Sequence, residues 1–117
     1  MKPSADIAIL RDRAPLYVRL ADGRVQNAYT VKISNMTRTE RSYRLTLGGL
    51  DGARLAVAGE AGEADGLTLT APPSAVATYR VYARLPETDR TPASTPVTFD
   101  VRTEGGGARH DSVFLAP

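Results

Sequence analysis

Hydrophobic and polar residues alternate along this chain in short runs, which is the period of a β-strand with one buried face. Tyr29, Val31 and Ile33 alternate with polar residues, and residues 43–47, 79–85 and 97–101 repeat the pattern. Shorter apolar runs occupy residues 7–10, 16–20, 55–57, 67–69 and 112–115. Turn-forming residues separate the runs, among them Asp22-Gly23, Pro72-Pro73 and the glycines at 105–107. The pattern predicts about nine strands.

Apolar-in, polar-out strands indicate antiparallel sheets that each have one wet face, and two such sheets bury their apolar faces by packing together. We therefore predict an all-β fold, an immunoglobulin-like antiparallel β-sandwich of about 7–9 strands. Periodicity alone leaves a closed barrel open as the alternative. The best helical stretch, residues 57–63, is interrupted by Gly59 and Gly62. The predicted core consists of Tyr29, Val31, Ile33, Tyr43, Leu45, Leu47, Val81, Ala83, Val97, Phe99 and Val101.

The length of 117 residues suits one domain. We expect residues 1–6 to be the remnant of a linker and residues 7–117 to form the sandwich. No apolar run approaches the roughly 18 residues that cross a bilayer, so we expect no direct membrane insertion by this segment. We also expect a monomer.

The charge balance argues against a polyanionic partner. The chain carries 15 basic and 13 acidic residues, a formal net charge of +2. The basic residues are spread along the whole chain, whereas nucleic-acid-binding proteins cluster them on one face, so we expect no nucleic-acid binding. The chain has no cysteine, which excludes disulfides, thiol catalysis and thiolate ligation of zinc or iron–sulfur clusters within it.

Candidate chemistry is sparse, and we predict no catalytic, cofactor-binding or metal-ligating residues. His110 is the single histidine; we interpret it as a surface residue that follows a triglycine turn and opens the last strand. The acidic stretch 59–66 lacks the alternating spacing of a calcium loop and is interpreted as a mobile connection. Asn35-Met36-Thr37 matches a glycosylation sequon, which we attribute to chance.

The most promising surface lies on the strand around residue 80. Arg80, Tyr82 and Arg84 should project from the same face, with Tyr82 between two guanidinium groups. One interpretation is a solvated face that protects a sheet edge and pairs with Asp100 on the next strand. The other is a docking surface, since Arg and Tyr are enriched at interface hot spots. These three residues are the predicted partner surface.

Two stretches carry a resemblance to a known family. Residues 11–18 (RDRAPLYV) and 22–35 (DGRVQNAYTVKISN) resemble the C-terminal immunoglobulin-like domain of the FixG (CcoG) family, accessory proteins of cbb3-type cytochrome oxidase assembly. Gly49-Leu50 and residues 94–99 (STPVTF) are similar as well. Ala14 stands where the family pattern would have Asn. Pro15, Asp22-Gly23, Asn27 and Asn35 are expected to serve the framework rather than catalysis.

This resemblance implies a non-catalytic interaction or structural module attached to a membrane iron–sulfur oxidoreductase that takes part in oxidase assembly and copper handling. The implied [4Fe–4S] clusters and membrane spans would lie upstream of this chain. The implied location is the periplasmic side of a bacterial inner membrane, and the implied partners are proteins of cytochrome oxidase assembly. The alternative is a free-standing ligand-binding β-sandwich, of the carbohydrate-binding or adhesin-like kind.

Overall fold

The computed structural model describes residues 5–86 and 91–117, which contain nine strands and no helix. The strands are β1 (Ala5–Arg11), β2 (Val18–Arg19), β3 (Arg24–Asn35), β4 (Arg41–Gly48), β5 (Arg54–Val57), β6 (Gly66–Ala71), β7 (Ala75–Pro86), β8 (Ser94–Thr103) and β9 (Gly106–Leu115). A helix suited to crossing a membrane is not found within these ranges.

The strands form two antiparallel sheets. The five-stranded sheet has the order β1-β3-β7-β5, and the two-residue β2 pairs with β3 alongside β1. The four-stranded sheet has the order β6-β4-β8-β9. The predicted immunoglobulin-like sandwich is confirmed, and the two sheets do not close into one barrel.

The core lies between the sheets, where the alternating residues of β3, β4, β7 and β8 meet. The predicted core residues are buried except Leu47, which is partly buried and packs against the core. The core also contains residues outside the predicted set. Leu55 and Leu69 lie on short strands that offer too few repeats to show a face. Val25, Ala71 and Phe114 lie at or next to the ends of their strands, beyond the regular alternation.

Two buried asparagines tie loops and sheets together. The Asn27 side chain donates to the Leu115 carbonyl at 2.8 Å and accepts from the Leu115 N–H at 2.9 Å, joining β3 to β9 across the sandwich. The neighbouring Tyr29 hydroxyl donates to the Val113 carbonyl at 2.8 Å. Asn35 bonds the backbone of the other sheet and of the loop after β3. The expected framework role of both asparagines agrees with these contacts.

The starts of two strands differ from the sequence prediction. β1 begins at Ala5, two residues before the apolar run 7–10 from which the strand was predicted, while residues 1–4 lie outside the described ranges. The last strand begins at Gly106. His110 therefore does not open that strand; it lies half-buried within it, opposite Phe99. Of the three glycines at 105–107, only Gly105 has a positive φ, of 86°.

Candidate interaction surface

Arg80, Tyr82 and Arg84 lie together on the outer face of the five-stranded sheet, as predicted. The Arg80 Cζ is 5.9 Å and the Arg84 Cζ 5.3 Å from the centroid of the Tyr82 ring. Alternate residues of one strand share a face, which places the phenol ring between the two guanidinium groups. We call these three residues the Arg–Tyr–Arg surface.

The Arg–Tyr–Arg surface does not protect a sheet edge. β7 lies between β3 and β5, so it is an interior strand. The expected pairing with Asp100 is also wrong, because Asp100 belongs to β8 in the other sheet and lies beside Arg102, at 3.3 Å. Alternation fixes which face a residue occupies, but it does not specify which strand lies next to it.

Each arginine of this surface is held by groups from neighbouring segments. Arg80 forms an ion pair with Asp12, in the loop after β1. Arg84 donates from Nη1 to Glu63 at 2.8 Å and from Nε to the Gln26 side chain at 2.7 Å. The guanidinium positions are therefore fixed by residues distant in sequence.

Glu63 connects the acidic stretch to this surface. One carboxylate oxygen accepts from Arg24 at 2.7 Å and the other from Arg84 at 2.8 Å. The adjacent Ala64 exchanges two backbone hydrogen bonds with Leu55, at 2.8 and 2.9 Å. The connection interpreted as mobile is thus attached to the sheet. Hydrogen bonds from the side chains of Arg24, which has the larger effect, and of Arg84 lower the pKa of Glu63 to about 2.

Replacing Glu63 by glutamine should lower the free energy of unfolding at neutral pH by about 1 kcal/mol, the usual scale of partly exposed ion pairs. The pKa of Glu63 is lower in the folded protein than its ordinary 4.5, so its contribution is full above that ordinary value. It is lost as the pH falls toward about 2. Urea denaturation of both proteins between neutral pH and pH ~2.5 should show their stabilities converging in acid.

The matched control is Glu60→Gln, which removes an exposed carboxylate of the same stretch. It should leave both the stability and its pH dependence close to those of the unsubstituted protein. A stability difference for Glu63→Gln that stays constant across this pH range would contradict the assignment.

A shallow cleft opens beside the Arg–Tyr–Arg surface, between the end of β1 and the start of β2. Its volume is about 200 Å³. Its lining consists of Asp12, Pro15, Tyr17, Val18, Gln26, Ala28, Arg80 and Tyr82. Leu16 and Val18 stand partly exposed in the same region, at 49% and 40%. Sequence reasoning missed this cleft because it forms where two short strands share one neighbour, which no local pattern reports.

The other sequence candidates do not assemble into a site. The described residues contain no group of three or more His, Asp or Glu side chains placed to hold a metal. The Asn35 side chain is fully buried and bonded to backbone carbonyls, so the sequon is inaccessible in the folded protein.

Comparisons with known proteins agree with this fold and with the resemblance. A family model described as "IG-like fold at C-terminal of FixG, putative oxidoreductase" matches residues 1–117. The chain is 36% identical to the nitrogen fixation protein FixG of Rhizobium meliloti over 83 residues, covering 70% of this chain and 16% of FixG. It is 33% identical to protein RdxA of Cereibacter sphaeroides over 87 residues, covering 74% of this chain and 18% of RdxA.

The chain therefore spans less than a fifth of the length of these two curated relatives. Among solved structures, the crystal structure of a FixG-related protein from Vibrio parahaemolyticus superposes with a TM-score of 0.76 and 22% sequence identity, over 97% of each chain. At that identity the superposition supports the sandwich fold. The match of the family model over the whole chain carries the assignment, and the chain belongs to the family of immunoglobulin-like domains found at the C-terminus of FixG.

Proposed function

We propose that this domain is a non-catalytic interaction module of a FixG-type accessory protein and that it docks a protein of cytochrome oxidase assembly through the Arg–Tyr–Arg surface. The observation that carries the proposal is the way Tyr82 is held. Its ring stands between two guanidinium groups, and carboxylates from other segments hold those groups in turn.

An aromatic ring fixed in this way suits binding, because little side-chain entropy remains to be lost when a partner covers it. Tyr and Arg are also the residue types enriched where interface energy concentrates. The arginines are already paired with Asp12 and Glu63, so their charge is largely compensated. The partner should therefore offer a ring, an aliphatic side chain or a carbonyl rather than a cluster of acids.

Family membership supports the module interpretation over a free-standing carbohydrate-binding or adhesin-like domain. The iron–sulfur clusters implied by the resemblance need thiolate ligands, and this chain has no cysteine. Clusters, membrane spans and any copper handling would then reside in other parts of a full-length protein. The proposed position of this domain is the periplasmic side of the membrane.

The proposal is tested in a full-length FixG-type protein that carries this domain, by measuring its co-purification with oxidase-assembly components. Tyr82→Ser should reduce recovery of the partner by about tenfold or more, the scale of a hot-spot residue. Tyr82→Phe keeps the ring between the guanidinium groups and should retain most of the recovery. The triple variant Arg80→Ser, Tyr82→Ser, Arg84→Ser should match or exceed the loss from Tyr82→Ser.

The matched control is Arg44→Ser combined with Arg102→Ser, two exposed residues that face each other on the outer side of the four-stranded sheet. Substitutions at Glu60, Glu63 and Asp65 would be a poor control, because Glu63 contacts Arg84 directly. Unchanged recovery for Tyr82→Ser, or an equal loss for the control pair, would show that this surface is not the docking site. Thermal melts of each domain variant separate lost binding from lost folding.

A further inference from the structure

The outer edge of β9 is partly capped and partly open. Among residues 5–86 and 91–117, no strand pairs with the side of β9 that faces away from β8. Backbone groups of alternate residues in an antiparallel strand point toward opposite neighbours. At Val113 and Leu115 the outward-pointing groups are bonded by Tyr29 and Asn27, from the opposite sheet.

The same alternation directs the N–H and C=O groups of Gly107, Arg109 and Asp111 toward this outer edge. A cleft of about 370 Å³ lies along this part of the strand, between β9 and β1. Ile7 of β1 and residues 106–110 of β9 contribute to its lining. β1 and β9 do not pair, so within the described residues no strand bonds the outward backbone groups of this segment.

Charge placement on this open segment favours one particular occupant. Arg109 and Asp111 are exposed on the outer face of the sheet. If a second copy of β9 pairs antiparallel about His110, Arg109 of each copy lies opposite Asp111 of the other. Pairing centred on Arg109 or on Asp111 instead places like charges opposite each other, which is destabilising.

We propose that two copies of this domain associate edge to edge through β9, in an antiparallel pairing centred on His110. The backbone of Arg109 and Asp111 in each copy exchanges hydrogen bonds with the other copy, and the two four-stranded sheets continue across the contact. Two Arg109–Asp111 ion pairs fix the register.

The contact between the two copies is short. Beyond Asp111, Tyr29 and Asn27 already bond the edge of β9. In the other direction, β9 ends at the β8–β9 turn. Small interfaces of this kind give weak, concentration-dependent association, with a Kd of roughly 10 µM to 1 mM. The proposal replaces the monomer expected from the sequence, since strand alternation does not reveal which strands end a sheet.

Sedimentation velocity of the chain at protein concentrations from about 10 µM to 1 mM tests this pairing. Arg109→Asp alone and Asp111→Arg alone should each weaken self-association by at least tenfold, because each places two like-charged pairs across the contact. An equimolar mixture of these two variants should associate again, since every cross-strand pair is then of opposite charge. The chain that carries both substitutions should also self-associate.

Arg102→Asp is the control: it reverses an exposed charge on the same sheet face, beside Asp100 and away from the free edge. Association should be unchanged in this variant. A thermal melt of each variant reports its folding, which matters because Arg109 lies 3.9 Å from Asp100. An unsubstituted chain that stays monomeric up to about 1 mM, or variants that fail to associate when mixed although folded, would overturn the proposal.

Discussion

Replacing Phe99 by alanine is expected to lower the free energy of unfolding by about 3–5 kcal/mol, the range for removing a large aromatic ring from a packed core. Phe99 is fully buried at the middle of β8. Its ring meets the ring of Tyr29 edge to face, with centroids 4.7 Å apart and an interplanar angle of 70°. The cavity would therefore lie beside a residue that also bonds β9. Urea denaturation followed by circular dichroism measures the loss.

A matched control is Val76→Ala, which shortens an apolar side chain that is 61% exposed on β7. Its effect should stay within about 0.5 kcal/mol, as for surface substitutions in general. Small domains have total stabilities of about 5–15 kcal/mol, so Phe99→Ala could unfold a large share of the molecules at 37 °C. An unchanged denaturation midpoint for Phe99→Ala would mean that the β8 side chains face the opposite way.

Replacing Asn35 by aspartate should be comparably damaging, at about 3–5 kcal/mol. Asn35 is fully buried. Its Nδ2 lies 2.9 Å from the Thr39 carbonyl and 3.0 Å from the carbonyls of Ala71 and Pro72. A carboxylate has no hydrogen to donate, so the substitution turns oxygens toward carbonyl oxygens and buries a charge.

Two further variants separate these effects. Asn35→Ala leaves the carbonyls without their donor but adds no charge, so it should cost less, about 2–3 kcal/mol. Met36→Ala, at the next residue and 72% exposed, should have little effect. The cost of Asn35→Asp should shrink in acid, because a protonated carboxyl can donate one hydrogen bond. A cost for Asn35→Asp no larger than that for Met36→Ala would contradict the described hydrogen bonds.

The buried face of the long strands follows directly from the sequence. In β3 the alternation at Tyr29, Val31 and Ile33 is regular, and all three side chains are fully buried. The same holds for Val97, Phe99 and Val101 of β8, which are at most 3% exposed. A strand has only two faces, so a clear alternation over several residues leaves one arrangement that removes the apolar side chains from water.

Alternation of apolar and polar residues does not predict which acidic residues pair with the arginines of the Arg–Tyr–Arg surface. Arg84 donates a hydrogen bond to Glu63, which lies in a loop 21 positions earlier in the chain. Asp100, which faces outward as Arg84 does, lies in the other sheet. Strand order and the path of the connections decide which charges meet, and both depend on tertiary packing. The sequence could therefore predict the three residues of the Arg–Tyr–Arg surface but not the carboxylates that hold them.

The sequence also does not predict the exact position of the last turn, because any of three consecutive glycines could form it. In the structure Gly105 takes the left-handed conformation, while Gly107 lies within β9 for a different reason. A Cβ at Gly107 would lie 2.8 Å from the Val101 carbonyl oxygen, so only glycine fits there. Two distinct steric requirements thus account for Gly105 and Gly107, whereas nothing in the structure requires glycine at position 106. Because the strand begins at Gly106, His110 lies within it rather than at its start.

The attachment of β9 to β3 has a mechanical consequence. β1 runs from Ala5, opposite Asn35 of β3, to Arg11, opposite Tyr29. β9 runs in the same direction as β1, and Asn27 of β3 forms hydrogen bonds with Leu115 at the end of β9. Tension between the start of β1 and the end of β9 is therefore directed along the strands. Backbone hydrogen bonds of a ladder lie perpendicular to that direction, so they are loaded together in shear rather than opened one after another. A domain connected in this way should resist extension between its two ends, because many backbone hydrogen bonds must break together.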